Sequence, residues 1–294
     1  MKAAAAAAVL TSALMQAQPT ELVELDVVAL DRQEFAVVGL TRQDFEIKDG
    51  GRPVAIQTFT EVTARGAGVD DERSVIVLMD DIGVPTSGTG PMRAIARVLL
   101  APMQPADEVA VVRLSRGRDE PYGDVESARD RIDQYHGGAV PFSRRDTPET
   151  VLEAVGRVAV QLESIEHRRK ALVCLGLPSV CDVAPPVAAS TNAYRDAWRK
   201  AVSAAARANA SLYAVDPTGL TSRSSAGGEG LIQLTGGEML HNSNDFNTAA
   251  TRVWREASRY YLIGYWAPIG GDQLRTVEVK TLRHDVQLRV RRLR

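Results

Sequence analysis

Two adjacent carboxylates, Asp80 and Asp81, are the residues whose type and position in this chain point most directly to chemistry. A carboxylate pair can hold a divalent cation through its oxygens, or it can act as a general acid and base. The pair ends an unbroken apolar run, residues 75–79, and precedes the glycine-containing segment 82–90. Such a run predicts a strand buried on both faces of a parallel sheet. Because open α/β sheets bind ligands beyond the carboxyl ends of their strands, we expect the pair at a ligand-binding edge.

Alternating strands and helices follow this first strand. Further strands are predicted at residues 109–114, 171–175 and 212–216, and helices are predicted from Pro91, over 126–135, from Thr147, around Trp198 and around Trp254. The helix from Thr147 has a capping hydroxyl, a proline at its first position and an early carboxylate. This repetition predicts an α/β fold with a Rossmann-like, doubly wound and mostly parallel sheet that is covered by helices on both faces.

Both ends of the chain show the period-2 pattern of half-exposed strands. The predicted strands are residues 23–27, 35–40, 45–48 and 54–59 near the start, and 260–266, 274–282 and 285–290 near the end. The Asp49-Gly50 step between two of them indicates a hairpin. Neither end has enough strands to be stable alone, so we expect a small antiparallel β module built from the N- and C-terminal segments. The predicted boundaries are 1–17 for a signal peptide, 18–64 and 260–294 for the β module, and 72–259 for the α/β domain.

The strand, the acidic loop and the βα units that follow resemble the von Willebrand factor type A domain. Two longer phrases make the chain most similar to the secreted bacterial von Willebrand factor A-related proteins. Gly-Leu-x-x-x-Asp-Phe-x-x-x-Asp-Gly stands intact at residues 39–50, and Tyr-x-x-x-Gly-Tyr stands at residues 260–265. The similarity spans residues 20–292, and it implies a binding or scaffolding role.

The same resemblance implies where metal ligands would lie. Members that bind metal carry Asp-x-Ser-x-Ser in the acidic loop, a Thr after a Gly-Gly pair and an Asp at the end of a later strand. This chain has Ile82 and Val84 in the loop, Ala139 after the glycine pair, and Leu177 after the later strand.

Magnesium requires near-octahedral oxygen ligation, and these substitutions leave only the two aspartates as protein ligands. We therefore expect a degenerate metal-ion-dependent adhesion site, with no tight divalent metal and no other cofactor. Thr86, Ser87 and Thr89 could supply hydroxyls if the loop folded differently.

Motifs of catalysis and nucleotide binding are lacking in the sequence. There is no Gly-x-Ser-x-Gly elbow, no phosphate loop and no Gly-x-Gly-x-x-Gly after the first strand. The histidines His136, His167, His241 and His284 lie in different predicted elements without a metal-ligand spacing. We expect no enzyme, and the alternatives are a metal-dependent hydrolase or a metal-dependent adhesion module that uses Asp80 and Asp81.

The first residues and the cysteines bear on the compartment. Met1-Lys2 followed by an apolar stretch and Ala17 fits a secretory signal peptide, although a cytoplasmic alanine-rich helix is the alternative. The stretch is too short to span a membrane. Cys174 could be a small core residue, or it could pair with Cys181 in an oxidising compartment. The net charge of −2 gives no electrostatic reason to expect nucleic acid.

Together these inferences predict a secreted or periplasmic, non-catalytic protein-interaction protein with no transmembrane segment in its mature form. Its partner would be another protein, bound by loops 80–90, 137–144 and 177–182 at the carboxyl edge of the sheet. The candidate binding residues are Asp80, Asp81, Ile82, Gly83, Gly138, Ala139 and Leu177. A purely structural envelope component assembled through the β module is a third possibility.

Overall fold

The structure is a computed structural model that describes residues 20–63, 73–115, 123–138, 148–165, 169–217, 230–240, 246–269 and 276–290. The predicted signal peptide, Ala139, the predicted capping residue Thr147, His167 and His241 lie outside these ranges. Within the described ranges, no helix has both the length and the apolar character needed to cross a membrane.

The elements alternate in the middle of the chain and are mainly strands at its ends. The strands are β1 (Thr20–Leu30), β2 (Phe45–Asp49), β3 (Arg52–Val54), β4 (Ile56–Thr63), β5 (Arg73–Met79), β6 (Glu108–Arg113), β7 (Arg169–Leu175), β8 (Ser211–Val215), β9 (Met239–Leu240), β10 (Arg259–Pro268), β11 (Val277–Thr281) and β12 (Gln287–Val290). The helices are α1 (Thr89–Leu100), α2 (Val125–Asp133), α3 (Pro148–Glu163), α4 (Pro178–Cys181), α5 (Asn192–Ala208), α6 (Leu231–Leu234) and α7 (Phe246–Ser258). Short 3-10 turns occur at Arg42–Asp44 and Thr86–Gly88.

The central sheet has five strands in the order β6-β5-β7-β8-β9, and every neighbouring pair is parallel. Alternate residues of β5 point into two separate cores, because side chains alternate across a strand. Val75, Val77 and Met79 pack with α1, α2 and α7, whereas Ile76 and Leu78 pack with α3 and α5. The expected fold class, a doubly wound parallel sheet with helices on both faces, is confirmed.

Helices α3 and α5 lie close together because small residues meet at their contact. A Cβ added at Gly156 would lie 3.5 Å from the Cα of Ala201. Ala197, Ala204 and Ala205 are also buried on this side of α5. Short side chains let two helix backbones approach, which fixes α3 and α5 over one face of β5 and β7.

The antiparallel β module is also confirmed, with two sheets. One has the order β12-β1-β10-β4 and the other has the order β11-β2-β3, so both combine strands from the two ends of the chain. Their shared core is separate from those of the α/β domain. The hairpin predicted at Asp49-Gly50 joins β2 to β3, with φ of +57° at Gly50 and +79° at Gly51. A two-residue hairpin turn with two positive φ values favours glycine.

The two phrases that carry the family resemblance pack against each other in this module. The backbone N–H of Leu40 donates to the hydroxyl of Tyr261 at 3.0 Å, and that hydroxyl donates to the carbonyl of Val37 at 3.0 Å. The ring of Tyr261 lies 5.4 Å from Phe45 and 5.5 Å from Phe59. These aromatic residues therefore have a structural role, since they tie the two chain ends into one core.

One predicted strand is wrong. Residues 35–40 form only an isolated bridge between Leu30 and Ala36. The remaining backbone donors are used irregularly: Val37 donates to the carbonyl of Ala29, and Gly39 donates to the carboxylate of Glu61. Short elements α4, α6 and β9, which the sequence analysis did not predict, complete the α/β domain.

Candidate functional site

The site lies where the strand order of the parallel sheet changes direction. From β5 the chain crosses to β6 on one side, and it then returns to β7 on the other side of β5. A crevice opens at the carboxyl ends of two strands that diverge in this way. The backbone N–H of Asp80 donates to the carbonyl of Leu175 at 2.9 Å, which joins the ends of β5 and β7. Asp80 therefore lies at the carboxyl edge of the parallel sheet, as expected from the sequence.

Asp80 is fully buried, and its carboxylate serves the backbone around it. Oδ1 accepts the N–H of Ile82 at 3.0 Å and that of Gly83 at 2.7 Å, and Oδ2 accepts the N–H of Leu177 at 3.3 Å. A Cβ added at Gly176 would lie only 2.4 Å from the Cβ of Asp80. The carboxylate thus fixes the turn after β5 and the start of the loop after β7 in one arrangement.

Asp81 is also buried and is directed to a third strand end. Oδ1 accepts the backbone N–H of Ser115 at 2.9 Å, and Oδ2 accepts the hydroxyl of the same residue. Ser115 follows β6, so the two neighbouring aspartates fasten the β5 loop to the strands on either side. No local sequence pattern predicts the role of Ser115, because 34 residues separate it from Asp81.

Tyr135 also belongs to the buried cluster, and its role in the site was not predicted from the sequence. Its hydroxyl donates to the carbonyl of Asp80 at 2.6 Å, and the residue is fully buried. Burial raises the pKa of Tyr135, and the negative charges of Asp80 and Asp81 raise it further. Arg93 on α1 donates to the carbonyl of Tyr135 through Nε at 3.0 Å and Nη2 at 2.8 Å. Tyr135 therefore remains a neutral hydrogen-bond donor.

The positions that the family resemblance assigns to serine hydroxyls are part of the hydrocarbon cores. Ile82 packs into the core that contains α3 and α5, and Val84 packs into the opposite core with Met92 and Tyr135. Leu177 is partly buried and packs against the second of these cores. The donor set that remains does not suit a divalent cation, because the oxygens of Asp80 already accept backbone N–H groups and hydrocarbon fills the neighbouring positions. The described residues contain no group of three His, Cys, Asp or Glu placed to hold a metal ion.

The glycine pair, Gly137 and Gly138, packs against the loop after β5. Gly137 donates its N–H to the hydroxyl of Thr89 at 3.0 Å, and its carbonyl accepts from the hydroxyl of Thr86 at 3.4 Å. A Cβ at Gly137 would lie 2.6 Å from the carbonyl oxygen of Pro85. These two threonine hydroxyls therefore connect the loop to Gly137.

An exposed surface covers this buried cluster. Pro85, Thr86, Ser87 and Gly138 are exposed at the tip of the site, and we call these four residues the carboxyl-edge surface. Of the candidate binding residues, Asp80, Asp81 and Ile82 lie beneath it, Gly83 and Leu177 are partly buried, and Gly138 belongs to it. The aspartates support the surface and do not form it.

A disulfide holds the neighbouring loop. Cys174 and Cys181 are bonded, with their Cα atoms 5.8 Å apart. Of the two alternatives left open by the sequence, pairing is the one found. The bond joins the end of β7 to α4 and so encloses Gly176 and Leu177, whose backbone packs against Asp80.

The burial of Asp80 predicts a measurable pH dependence. Burial raises the pKa of this carboxyl above 3.8, against the lowering effect of hydrogen bonds from Gly83, Ile82 and Leu177, and the charge of Asp81 raises it further. Between the two pKa values the folded chain binds more protons than the unfolded chain. The contribution of Asp80 to stability therefore grows as the pH falls through its folded pKa, and it is lost as the pH rises.

The measurement is urea unfolding of the wild type and of Asp80→Asn over a pH series. We expect the difference in free energy of unfolding between them to shift in favour of the wild type at acidic pH. Exposed carboxyls whose pKa is lowered, such as Asp44 and Asp124, change stability in the opposite direction in both proteins and so cancel. If the difference in free energy of unfolding between the two proteins were the same at every pH, the raised pKa of Asp80 would be contradicted.

Comparison with known proteins gives similarity at the level of structure only. No family model matches the chain, and no curated protein matches its sequence. An aerotolerance-related membrane protein from Bacteroides fragilis is similar with a TM-score of 0.40 and 11% identity, over 63% of this chain and 98% of that chain. BatB, a conserved hypothetical protein from Bacteroides thetaiotaomicron, has a TM-score of 0.37 and 16% identity over 63% and 98%. Proximal thread matrix protein 1 from the mussel byssus has a TM-score of 0.44 and 9% identity over 71% and 50%. Similarities of this size assign no family.

Proposed function

We propose that this chain is an exported, non-catalytic protein-interaction protein with a von Willebrand factor A-like domain and a degenerate metal site. It binds another protein through the carboxyl-edge surface without a bridging cation. The observation that carries the proposal is the use of Asp80: its carboxylate accepts three backbone N–H groups from two loops and shapes a surface above it.

The same observation argues against the hydrolase alternative. A general acid or base must come within hydrogen-bond reach of its substrate. Asp80 and Asp81 are at most 1% exposed, and Asp81 is occupied by the N–H and hydroxyl of Ser115. A substrate would have to displace the supports of the loop before it reached either carboxylate.

Export is supported by the disulfide as well as by the N-terminal sequence. Disulfides persist in oxidising compartments, such as the periplasm or the extracellular space, and are rare in the reducing cytosol. The Cys174–Cys181 bond is buried and joins elements that shape the site. It therefore fits a protein that works outside the cytoplasm.

The proposal predicts that partner binding survives metal removal and depends on the carboxyl-edge surface. Proteins from the native envelope would be captured with the wild-type chain in EDTA and in magnesium, and the captured set should be the same. Ser87→Arg places a large charged side chain on the surface and should reduce capture by about tenfold, as expected at the centre of an interface.

Ser164→Arg is the matched control, because Ser164 is exposed after α3 and precedes the start of β7, at the opposite end of the sheet. It should capture as the wild type does. Calorimetric titration with magnesium and manganese should show no binding tighter than millimolar. Tight binding of magnesium or manganese that Asp80→Ala abolishes would overturn the metal-free proposal. Equal capture by Ser87→Arg and Ser164→Arg would show that the carboxyl-edge surface is not the binding surface.

A further inference from the structure

Strand β4 lies at one edge of the four-stranded sheet of the β module. Among the described strands it pairs with β10 alone, from Ile56 to Thr63. With eight residues it is the longest strand at a sheet edge in the described part of the chain. An edge strand presents unpaired backbone groups to which another extended chain can bind. The edge of β4 is therefore a candidate for strand addition.

Several other edges among the described strands have features that hinder strand addition. β3 has three residues, which include Arg52 and Pro53, β9 has two residues, and β6 is bridged at Val109 to Gly123. Short length, charge, proline and covering segments are the usual means of protecting an edge. β4 contains no proline, lysine or arginine, and Glu61 is its one charged residue. Most of its other residues are β-branched, which favours extended structure.

The pairing of the sheet determines which backbone groups of β4 point outward. The residues of an antiparallel strand direct their N–H and C=O groups alternately to its two sides. The carbonyl of Ala29 accepts the N–H of Val37 at 2.9 Å on the side of β1 opposite β12, which is the β10 side. Carried through the register of β1, β10 and β4, this alternation directs the backbone groups of Phe59 and Glu61 away from β10. The irregularity in the β4 pairing lies before residue 58 and leaves this part regular.

The side chains along β4 leave this edge accessible. Gln57, Thr58 and Thr60 are exposed, and Phe59 is half-buried. The carbonyl of Gln57 accepts Arg42 Nη2 at 3.0 Å, which agrees with its outward direction. A carbonyl oxygen has two lone pairs, so the Gln57 carbonyl can accept a second donor.

The residue types of β4 are symmetric about Phe59. Residues at equal distances on its two sides are of the same kind: Thr58 with Thr60, Gln57 with Glu61, and Ile56 with Val62. If two copies of β4 pair antiparallel with Phe59 opposite Phe59, each residue meets its counterpart. Aromatic, aliphatic and threonine pairs are favourable across strands, whereas like charges are unfavourable. Glu61 meets the neutral amide of Gln57, so the negative charges of the two copies do not face each other.

We infer that β4 binds β4 of a second copy of this chain, antiparallel and centred on Phe59. Such an interface is isologous, as a dimer with two-fold symmetry requires, and the symmetric residue types favour this partner over an unrelated strand. The outward N–H and C=O groups of Phe59 and Glu61 form backbone hydrogen bonds with the second copy, which joins two four-stranded sheets into one of eight strands. This edge is separate from the carboxyl-edge surface, and the inference does not rest on the function proposed above.

The half-buried ring of Phe59 also gains a contact in this dimer. Within one chain its centroid lies 5.6 Å from that of Phe45 and 5.5 Å from that of Tyr261. The counterpart ring of the second copy covers the part that these neighbours leave exposed. An aromatic pair at the centre of the two strands stabilises their association.

Sedimentation equilibrium of the chain from about 1 to 500 μM measures the dimer. A contact along one strand edge is small, so we expect a dissociation constant of about 10–100 μM. The average mass should rise with concentration from that of the monomer, 31.8 kDa, toward twice this value. A wild-type chain that stays monomeric over the whole range would overturn the inference.

Charge changes at Thr58 and Thr60 locate the interface. Position 58 of one copy lies opposite position 60 of the other, so Thr58→Lys with Thr60→Lys places like charges across the interface twice. Thr58→Glu with Thr60→Glu does the same with negative charges. Each double variant alone should dimerise at least about tenfold more weakly than the wild type. An equimolar mixture of the two places lysine opposite glutamate, and it should form a mixed dimer at least as tightly as the wild type.

Glu278→Lys is the matched control, because with Lys280 it creates the same Lys-x-Lys spacing on an exposed edge strand of the other sheet. It should dimerise as the wild type does. Urea unfolding shows that each variant is folded, and recovery on mixing separates lost pairing from lost structure. Lack of a mixed dimer, or wild-type dimerisation by either like-charged variant, would overturn the inference.

A strand of another protein is the competing occupant of this edge. If the wild type stayed monomeric, and the lysine double variant lost envelope proteins that the wild type captures, the edge would belong to that protein and the inference would be overturned. The Ser87→Arg experiment on the carboxyl-edge surface is unaffected by any of these results, so the two proposals fail separately.

Discussion

Replacement of Asp80 by alanine should lower the free energy of unfolding by about 3 kcal/mol or more. The side chain accepts the N–H groups of Ile82, Gly83 and Leu177, and the site is buried, so the substitution leaves these donors without a partner. Relief of the buried charge offsets part of the loss, because burial disfavours the ionised carboxylate. The cost of three unsatisfied donors is the larger effect.

Urea unfolding at neutral pH measures this loss. Asp196→Ala is the control, because Asp196 is exposed on α5 and forms only a surface pair with Arg199. Its effect should stay within about 0.5 kcal/mol. An Asp80→Ala protein as stable as the control would show that the carboxylate does not hold the loops, and the function proposed for the surface above it would lose its basis.

Replacement of Gly176 by alanine should have a comparably large effect, about 3 kcal/mol. The added Cβ would lie 2.4 Å from the Cβ of Asp80 and 3.1 Å from its Cγ. Both Cβ atoms are fixed to their backbones, so no rotamer change separates them. The ends of β5 and β7 must move apart, and the hydrogen bond from Asp80 N–H to the carbonyl of Leu175 must lengthen.

The matched control is Gly90→Ala. A Cβ at Gly90 meets nothing within 4 Å, and the residue lies in the first turn of α1. Alanine is the better helix former, but a Cβ on the residue before Pro91 is disfavoured in the α region, so the two effects oppose each other and the free energy of unfolding should change by less than about 1 kcal/mol. If both alanine variants had the same unfolding midpoint in urea, the close packing of Gly176 on Asp80 would be refuted.

The residues at the positions expected for metal ligands pack around Asp80, whose carboxylate serves the backbone. Ile82, Val84 and Leu177 stand where the family resemblance places hydroxyl and carboxylate ligands, and each packs against a hydrocarbon core. Asp80 accepts backbone N–H groups from the loops after β5 and β7. On the function proposed above, this support would lower the ordering cost of association with a partner.

The two phrases of the family resemblance are explained by the core of the β module. Residues 39–50 and 260–265 identified segments that pack together, and their contact through Tyr261 ties the chain ends into one module. Their residue types are explained by this core and by the turn at Gly50 and Gly51. They therefore serve the architecture of the β module.

The sequence by itself determined the elements whose causes are local. The apolar run before Asp80, the proline at the start of α3 and the Asp49-Gly50 turn depend on neighbours a few residues apart, and the strand, helix and hairpin they predict were found as expected. The strand predicted at residues 35–40 does not form, because its backbone N–H groups donate to Ala29, Glu61 and Tyr261. Hydrophobic periodicity does not encode these distant partners.

Only the tertiary structure decided which groups the two aspartates serve. Leu177 lies 97 residues from Asp80, Tyr135 lies 55 residues from it, and Ser115 lies 34 residues from Asp81. The strand order of the sheet brings these groups together, and no local pattern encodes that order.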